Sequence, residues 1–330
     1  MTLRGTKVLV TGADGFIGSH LTERLVAEGA DVRAFCLYNS RGSAGWLDEA
    51  DAATRAALDI RLGDIRDARF VAAATEGVEI VFHLAALIAI PYSYAAPQSF
   101  IDTNVSGTLN ALEAARAAGV RRFIQTSTSE VYGTPETLPI LETHPYAAQS
   151  PYAASKVAAD QLTLAFGKSF ELPTVVLRPF NTYGPRQSER AVLPTMLRQL
   201  LAGQTEVRLG RLDPRRDLTF VADTVDGFIR AATGPDIEGQ VIQLGTGRSE
   251  SIGELLALAS RILGVDARAV EDPARMRPDA SEVLVLQADP SRARERLGWE
   301  AQTSLEDGLR ATIDWLRTQP ATSDPERVQT

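Results

Sequence analysis

The first half of the chain alternates short runs of apolar residues with longer segments in which apolar and polar residues are mixed. The short runs predict strands, and the mixed segments have the apolar spacing of helices that cover a sheet. Because strands alternate with helices of ten or more residues, we predict a parallel sheet with helices on both faces. The predicted strands are 7–12, 31–37, 58–64, 78–85, 121–128 and 173–179, and the longest predicted helices are 18–29, 103–119 and 150–168.

The character of the sequence changes after Pro179, where proline, glycine and arginine become more frequent. Helical patterns at 251–264 and 304–318 are typical of a second, smaller domain. Part of 220–245 is compatible with a strand that rejoins the first sheet. The predicted units are a first domain of residues 1–180, a second domain of residues 181–320 and a flexible tail of residues 321–330.

Composition excludes several classes of function. The net charge of −8 argues against a protein that holds nucleic acid on a basic surface. Cys36 is the single cysteine, so no intrachain disulfide can form, which fits a reducing cytoplasm. The histidines, His20, His83 and His144, are scattered, so we expect no metal site. The longest apolar run, 80–90, has eleven residues, whereas a membrane-spanning helix needs about 20.

Three glycines mark the turn between the first predicted strand and the first predicted helix. Gly12, Gly15 and Gly18 let the backbone turn tightly and approach a pyrophosphate, whose charge the helix N-terminus would meet. The position of the motif directly after a first strand favours dinucleotide binding over an ordinary tight turn. Phe16 and Ile17, inside the motif, belong to the same predicted cofactor site.

The end of the second predicted strand lacks the carboxylate that usually binds the adenosine ribose. Cys36 lies about where that acid would be, and we interpret it as a small core residue. Arg41 follows and is suited to a 2′-phosphate, although a solvated loop arginine is the alternative. These residues leave the choice between NAD and NADP open. The predicted cofactor is NAD, with NADP as the alternative.

The third and fourth predicted strands also end in candidate cofactor contacts. Asp64 is placed to accept a hydrogen bond from the adenine amino group, or to cap a helix, a role that Asp67 fits equally well. Small residues after the fourth strand let a cofactor lie close, or simply pack the sheet. The further contacts predicted here are Ile65, Leu84, Ala85 and Ala86.

A tyrosine and a lysine lie one helical turn apart in a chain that has only three lysines among 34 basic residues. Ser150 and Pro151 suit the start of that helix, which places Tyr152 and Lys156 on one face. Free tyrosine has a pKa near 10, and a nearby ammonium together with a cationic nicotinamide would favour the phenolate. A compact ammonium also suits ribose hydroxyls. The alternative is a solvated helix face.

Together these motifs resemble the extended short-chain dehydrogenase/reductases of the nucleotide-sugar epimerase/dehydratase family. The resemblance runs from about Lys7 to Leu316. It implies an α/β fold with a Rossmann-type, doubly wound parallel sheet and a smaller C-terminal α/β domain for a sugar nucleotide. It also implies a homodimer built on the helices that contain Asn104–Ala118 and Tyr152–Lys168.

By this resemblance, Thr128 works beside Tyr152 and bonds oxygen 4 of the sugar. Glu130 would take the proton from carbon 5 after carbon 4 is oxidised, so that water leaves from carbon 6 and the hydride returns there. Many dehydratases carry an aspartate where this chain has Ser129, so the group that protonates the leaving hydroxyl is open, with Glu130 itself a candidate. A simple epimerase usually has a small residue in place of Glu130, whereas the decarboxylases of UDP-glucuronate share it. The structural alternative is a strand-end surface glutamate.

Four segments resemble the 4,6-dehydratases of bacterial legionaminic acid pathways, which act on an N-acetylglucosamine nucleotide; they are 86–110, 178–195, 209–224 and 277–283. The resemblance implies that Pro179 and Phe180 line the nicotinamide and that Asn181 contacts the substrate. Arg216 and Arg277 would clamp the diphosphate, unless they are surface salt-bridge partners. The remaining candidate substrate contacts are Tyr92, Ser93 and Arg186.

The predicted function is a 4,6-dehydratase acting on GDP- or UDP-N-acetylglucosamine, with a 4-epimerase and then a UDP-glucuronate decarboxylase as alternatives. A non-catalytic, dinucleotide-binding regulator on the same fold is a further alternative. Intact Thr128, Tyr152 and Lys156 argue against it, because a sensor does not need a proton relay.

Overall fold

The computed structural model describes residues 2–320. The first elements are β1 (Lys7–Thr11), α1 (Phe16–Ala27), β2 (Asp31–Leu37), α2 (Ala52–Ala56), β3 (Leu58–Gly63), α3 (Ala68–Thr75), β4 (Ile80–His83), α4 (Ile90–Ala95), α5 (Pro97–Phe100), α6 (Gly107–Ala118), β5 (Arg122–Thr126), α7 (Pro151–Phe170) and β6 (Thr174–Pro179). Next come β7 (Asn181–Tyr183), α8 (Val192–Leu201), β8 (Glu206–Leu209), β9 (Arg215–Arg216), β10 (Leu218–Phe220), α9 (Val221–Thr233), β11 (Val241–Leu244), β12 (Glu250–Ser251), α10 (Ile252–Leu263), β13 (Arg268–Glu271), β14 (Val285–Leu286), α11 (Ser291–Leu297) and α12 (Leu305–Thr318).

Seven strands form one parallel sheet in the order β11-β6-β5-β4-β1-β2-β3. All six strands predicted from the first half of the sequence are present. The central strands are buried on both faces, which explains their continuous apolar runs. The order β3-β2-β1-β4-β5-β6 is that of a doubly wound nucleotide-binding fold, so the predicted Rossmann-type α/β class is confirmed.

Each face of the sheet has its own apolar core. One core packs α1 and α9 against the strands and includes Leu21, Phe228 and Trp299, whose indole Nε1 donates to the Asp223 carbonyl at 2.9 Å. The other core lies under α3, α6 and α7 and includes Leu112. Both cores therefore hold the carboxyl ends of the central strands in a fixed plane, where ligands bind in folds of this type.

The second half of the chain builds a third core between α8, α10 and α12. Helix α10 begins with a capping box between Ser251 and Glu254 and ends at Gly264, whose φ of +68° explains why glycine follows the helix. Short strands connect this region to the sheet, since β7 follows β6 directly and pairs with β10. Strand β9 pairs with both β12 and β14.

Strand β11 lies beside β6, so a strand from the predicted second domain completes the first sheet. The division at residue 180 itself stays a prediction. The predicted tail, 321–330, lies outside the described residues. Within 2–320, no helix combines the length and the apolar character needed to cross a bilayer.

Candidate active site

The glycine-rich turn forms a tight cradle at the end of β1. Gly12 has a φ of +71°, and a Cβ there would lie 2.9 Å from the Ala85 nitrogen. A Cβ on Gly18 would lie 2.0 Å from the Gly12 carbonyl oxygen, so the first turn of α1 packs directly on the loop. Gly15, at the N-cap of α1, has no side chain to cap the helix, which leaves its N-terminal N–H groups for an anion. Phe16 and Ile17 begin this helix, and the cradle fits a pyrophosphate.

The loop after β4 is held to the end of β1 by one hydroxyl. Thr11 Oγ1 accepts from the backbone N–H groups of Leu84 and Ala85, each at 3.1 Å. These bonds fix the backbone that faces Gly12. The predicted small-residue contact at 84–86 is thus placed against the glycine turn.

His83 connects this strand end to helix α6. Thr108 Oγ1 donates to the Asn104 carbonyl at 2.6 Å, so it accepts from His83 Nε2 at 3.1 Å. Nδ1 then accepts the Thr11 hydroxyl at 2.8 Å. Burial, with the charge of Lys156 as a smaller cause, lowers the pKa of His83 to about 3. The histidine is therefore a neutral hydrogen-bonding bridge, a role that its scattered position in the sequence did not suggest.

At the end of β2 the interpretation of Cys36 as a small core residue is confirmed. The side chain lies fully inside the core, where burial raises its pKa to about 12. Leu37, the last residue of β2, is exposed. Asp14, which the sequence analysis missed, places its carboxyl group beside the Leu37 N–H, and burial raises its pKa. Arg41 is exposed, with its backbone N–H bonded to Asn39.

At the end of β3, Asp64 and Asp67 have separate roles. Asp67 caps α3 by accepting from the backbone of Arg69 and Phe70, so the helix-cap alternative for Asp64 is wrong. Asp64 accepts from the Arg66 backbone at 2.9 Å and pairs with its guanidinium, which lowers the pKa of Asp64. Ile65 is buried next to α6, where a Cβ on Gly107 would lie 2.8 Å from its Cγ2. Adenine contact by Asp64 stays a prediction.

Helix α7 begins as predicted, because Ser150 Oγ accepts from the Ala153 N–H at 3.1 Å and Pro151 occupies the first turn. Tyr152 and Lys156 are buried, with 7% and 5% of their surfaces exposed, so the solvated-face alternative is wrong. The Thr128 side chain lies beside the Tyr152 phenol and acts to lower its pKa. Lys156 Nζ donates to the carbonyl of Thr126 at 2.6 Å.

Burial shifts both protonation equilibria toward the neutral forms. It raises the pKa of Tyr152 above that of free tyrosine, although the Thr128 side chain acts in the opposite direction. It lowers the pKa of Lys156 to about 8. Lys156 and Thr128 therefore do not make Tyr152 a phenolate, because desolvation raises its pKa more than Thr128 lowers it. The further lowering of the Tyr152 pKa would have to come from the cationic nicotinamide, which the prediction also included.

Glu130 lies in a single 3₁₀ turn, Ser129–Tyr132, which Thr128 caps by accepting from the Glu130 N–H at 3.3 Å. Only 9% of Glu130 is exposed, so it is not a surface residue. Its charge acts on Tyr152, and its Oε1 lies 3.9 Å from Arg277 Nη1. Ser129 is buried in the same turn. Thr128, Glu130, Tyr152 and Lys156 are thus brought together.

The two predicted phosphate-binding arginines join this group. Arg216 Nη2 pairs with Glu282 Oε1 at 3.1 Å, and the side chains of both residues are largely buried. Arg277 Nη1 lies 3.8 Å from the same oxygen and has no hydrogen-bond partner among the described residues. Arg216 and Arg277 therefore lie in the cluster with Glu130, not at scattered surface salt bridges. Glu282 was missed, although it belongs to the same 277–283 segment as Arg277.

The carboxylate after Arg216 fixes the backbone of β9. Asp217 is fully buried and accepts from the N–H groups of Thr246, Gly247 and Ala288 at 2.8–3.1 Å. It thereby joins three chain segments directly beside the arginine.

The other predicted contacts lie near Tyr152 or at the end of β6, except Ser93 and Arg186. Tyr92 packs on Phe100, which packs on Tyr152, and Asn181 has a buried side-chain oxygen without a partner among residues 2–320. Pro179 and Phe180 are buried at the end of β6, and Ser93 bonds its own helix at the Ile90 carbonyl.

Arg186 has a different position. Its guanidinium pairs with Glu23 at 2.8 Å and bonds Ser19 Oγ at 3.2 Å, both on α1. We therefore leave it out of the proposed substrate site.

Known proteins resemble this chain in both sequence and fold. A family model described as GDP-mannose 4,6 dehydratase matches residues 9–312. The chain belongs to the nucleotide-sugar epimerase/dehydratase family. Relatives in this family of extended short-chain dehydrogenase/reductases include a UDP-glucose 4-epimerase of Mycolicibacterium smegmatis, 37% identical over 95% of this chain and 99% of the relative. A dTDP-glucose 4,6-dehydratase of Actinoplanes sp. is 31% identical, over 94% of this chain and 98% of that one.

Among solved structures, the epimerase/dehydratase fold matches a dTDP-glucose 4,6-dehydratase of Streptomyces venezuelae with a TM-score of 0.85. That protein is 32% identical, with 94% of this chain and 97% of the other covered, and its crystals contained NAD. The chain is therefore an enzyme of this family, whose members similar to it include both dehydratases and epimerases.

Proposed function

We propose that the protein is an NAD-dependent nucleotide-sugar 4,6-dehydratase, a lyase. The observation that carries the proposal is Glu130, a buried carboxylate placed by the same strand end that holds Thr128 against Tyr152. An epimerase needs only transfer at carbon 4, whereas a dehydratase also needs a base for carbon 5.

The glycine cradle supports NAD as the cofactor, because a Cβ at Gly12 or Gly18 would collide with the backbone of Ala85 or Gly12 and prevent the tight turn. When bound, NAD accepts a hydride from carbon 4 of the sugar and later returns it to carbon 6. The residues proposed to contact it at the end of β3 and β4 are Asp64, Ile65, Leu84, Ala85 and Ala86. Arg41 is exposed and fits either a 2′-phosphate or solvent, so NADP stays open.

Tyr152 takes the proton of the sugar 4-hydroxyl, and Thr128 holds that oxygen. Lys156, bound to the Thr126 carbonyl, presents an ammonium beneath this pair and to a ribose hydroxyl. Glu130 then removes the carbon 5 proton, which is acidic once carbon 4 is a ketone. The same carboxyl group delivers the proton to the leaving oxygen at carbon 6, since Ser129 carries no ionisable group. When the hydride returns to carbon 6, carbon 5 takes a proton that comes from solvent, and Tyr152 releases to solvent the proton it took from the 4-hydroxyl.

Arg216 and Arg277 bind the diphosphate, and their place beside Glu130 sets the distance from the diphosphate to the sugar. Asn181 and Tyr92 contact the sugar. The substrate is proposed to be GDP- or UDP-N-acetylglucosamine. This choice rests on the resemblance of 86–110, 178–195, 209–224 and 277–283 to enzymes of legionaminic acid pathways.

The test is turnover of GDP-, UDP-, dTDP- and CDP-sugars in heavy water, followed by mass spectrometry. A dehydratase yields a product lighter by one water, with one solvent deuterium at carbon 5 and the carbon 4 hydride at carbon 6. Glu130→Gln should stop water loss, because an amide cannot take the carbon 5 proton. Oxidation at carbon 4 should continue, so near-ultraviolet absorbance of the reduced cofactor should rise on the enzyme. Glu136→Gln, an exposed glutamate in the following loop, is the matched control and should leave water loss unchanged.

The second candidate is a 4-epimerase, which the 37% identical mycobacterial relative favours. It would return a product of unchanged mass without deuterium, and Glu130→Gln would have little effect. A decarboxylase would lose carbon dioxide and accept only a uronic acid. Either result would contradict the dehydratase proposal while leaving the family assignment intact.

We also propose a cytoplasmic homodimer. The two helices implicated by the resemblance expose Leu109 and Phe170, and the preceding turn exposes Ile101, which supports a paired apolar face. Sedimentation at micromolar concentration checks this, since a monomer mass would contradict it.

A further inference from the structure

A third ionisable residue, Asp160, shares the buried face of α7 with Tyr152 and Lys156. Tyr152, Lys156 and Asp160 are spaced by four residues, so they lie one above the other on the helix. Asp160 is completely buried. Nothing in the reaction proposed above uses it, and an ionised carboxylate in the core is costly unless its surroundings compensate.

Three consecutive residues at the end of β5 face these three side chains. The Thr126 carbonyl accepts from Lys156 Nζ at 2.6 Å, Ser127 Oγ donates to Asp160 Oδ2, and Thr128 lies beside Tyr152 and acts to lower its pKa. Adjacent residues at the end of β5 therefore contact Lys156 and Asp160, so the two side chains are buried next to each other.

Arg178, at the end of β6, fixes the carboxylate from the other side. It is fully buried, and its Nη2 donates to Asp160 Oδ2 at 2.7 Å while its Nε donates to Ser127 Oγ at 3.0 Å. Its guanidinium also lies over the rings of Tyr132 and Tyr146, at 4.7 Å and 5.2 Å from their centres. Both donors to Asp160 use Oδ2, and Oδ1 has no hydrogen-bond partner among the described residues.

We propose that Asp160 is a positioning residue of the active site, which supplies the negative charge that keeps Lys156 an ammonium inside the core. Ser127 and Arg178 hold its carboxylate at Oδ2, so the Arg178 cation offsets part of the charge, while Oδ1 accepts no hydrogen bond from the described residues. A lysine buried without such a charge would lose its proton. The neutral amine keeps two N–H donors but lacks the positive charge that strengthens its bonds to the Thr126 carbonyl and to a ribose hydroxyl. The inference requires the family's Tyr–Lys site and does not depend on the dehydratase assignment.

The other titratable groups around the lysine do not replace this charge. His83, facing it from β4, is neutral in its hydrogen-bonding bridge. Tyr152, on the same helix, is a protonated phenol at neutral pH, and Glu130 acts on Tyr152 from the turn after β5. Asp160 is the group whose charge raises the pKa of Lys156 against the larger effect of burial.

The chain offers a direct test, because it has only three lysines, Lys7, Lys156 and Lys168. Protein labelled with ¹³C at the lysine ε-carbon gives three resonances, which the Lys7→Arg and Lys168→Arg variants assign. In the unsubstituted protein the Lys156 resonance should titrate near pH 8. In Asp160→Asn, which keeps the acceptor oxygen but not the charge, the midpoint should fall by at least about one unit, since a nearby opposite charge shifts a pKa by roughly 1–3 units.

The matched control is Asp223→Asn on α9, a buried carboxylate that accepts from the Thr303 N–H at 3.0 Å. It should lower the melting temperature without moving the Lys156 midpoint. A merely structural role for Asp160 would give the same result as this control. Should Asp160→Asn fail to fold, the double variant with Arg178→Met removes the whole ion pair, a replacement that buried pairs often tolerate. Because this variant also lacks the Arg178 cation, its Lys156 midpoint is compared with that of Arg178→Met alone and should lie below it. The proposal is overturned if the midpoint moves by less than about 0.3 unit, or upward, in the variant that folds.

Discussion

Burial shifts the pKa values of Tyr152 and Lys156 in opposite directions. Burial disfavours the charged form of each, so the phenol holds its proton more tightly and the ammonium more loosely than in water. At neutral pH the pair therefore contains a protonated phenol and a lysine not far from its midpoint. Bringing the phenol to the reactive state requires positive charge above it, which a bound, oxidised nicotinamide carries. Proton transfer at this site is thus linked to cofactor binding.

The first prediction at this scale concerns the phenol. Tyr152→Phe should retain the fold and bound cofactor, because the ring still packs on Phe100, but it should lose at least about a hundredfold in turnover. Steady-state kinetics with the substrate found in the screen would measure this. Tyr38→Phe, at an exposed tyrosine, is the control and should be silent. Turnover of Tyr152→Phe within a few-fold of normal would remove Tyr152 from the mechanism.

At the scale of elements, the site is assembled where strand ends from both halves of the chain converge. Thr128 and Glu130 follow β5, whereas Arg216 lies in β9. Arg277 and Glu282 belong to the segment between β13 and β14. That segment is fastened over the site by Ser281, whose Oγ donates to the Gln149 carbonyl at 2.7 Å and bonds the Tyr94 hydroxyl at 2.6 Å. The substrate would therefore be enclosed between the sheet edge and this segment.

This arrangement predicts how loss of each arginine should appear in kinetics. Arg216→Ala and Arg277→Ala should each raise KM about ten- to hundredfold, since a hydrogen bond to a charged group contributes roughly 1.5–3 kcal/mol. Turnover should change less, because a diphosphate contact exists in the ground state and the transition state alike. Arg268→Ala, which removes an exposed arginine paired with Glu206, is the control. An unchanged KM in either variant would show that its arginine does not bind the diphosphate.

The elements also show what a sequence can and cannot predict. Continuous apolar runs predicted the central strands because these are buried on both faces. Ser150 with Pro151 predicted the start of α7 from local chemistry. The helix predicted over 103–119 instead begins with a π-helical turn, Ile101–Ser106, before α6. In that turn the Asn104 side chain bonds the backbone of Leu87 and the hydroxyl of Ser155. Those partners lie on other elements, so no local pattern could reveal them.

The sequence could not predict which side chains pair with the arginines. Arg186, Arg216 and Arg277 were interpreted from similar motifs, yet the structure pairs the first with Glu23 and the other two with Glu282. A guanidinium reaches several ångströms from its backbone, so its partner depends on tertiary packing and not on spacing.

On the scale of the whole molecule, the sheet and its main core draw on residues from both halves of the chain. Phe228 and Trp299 lie in the same apolar core as Leu21, and β11 extends the sheet beside β6. Arg122, at the start of β5, donates to the carbonyls of Ala231 and Gly234. The boundary predicted at residue 180 separates chain segments in sequence, whereas the packing crosses it repeatedly.

The packing across residue 180 predicts that the first unit cannot fold alone. A chain of residues 1–180 would leave the face covered by α9, β11 and α11 in water, and the apolar surface of Leu21 and its neighbours would lose its partners. It should therefore bind a hydrophobic dye and show no sharp near-ultraviolet circular dichroism or cooperative melting. The full chain should unfold in one transition, with the fluorescence of buried Trp299 and the far-ultraviolet dichroism changing together. Two separate transitions in the full chain, or a cooperatively folded 1–180 that binds NAD, would show that the Rossmann unit is stable without the strand and helices contributed by the second half.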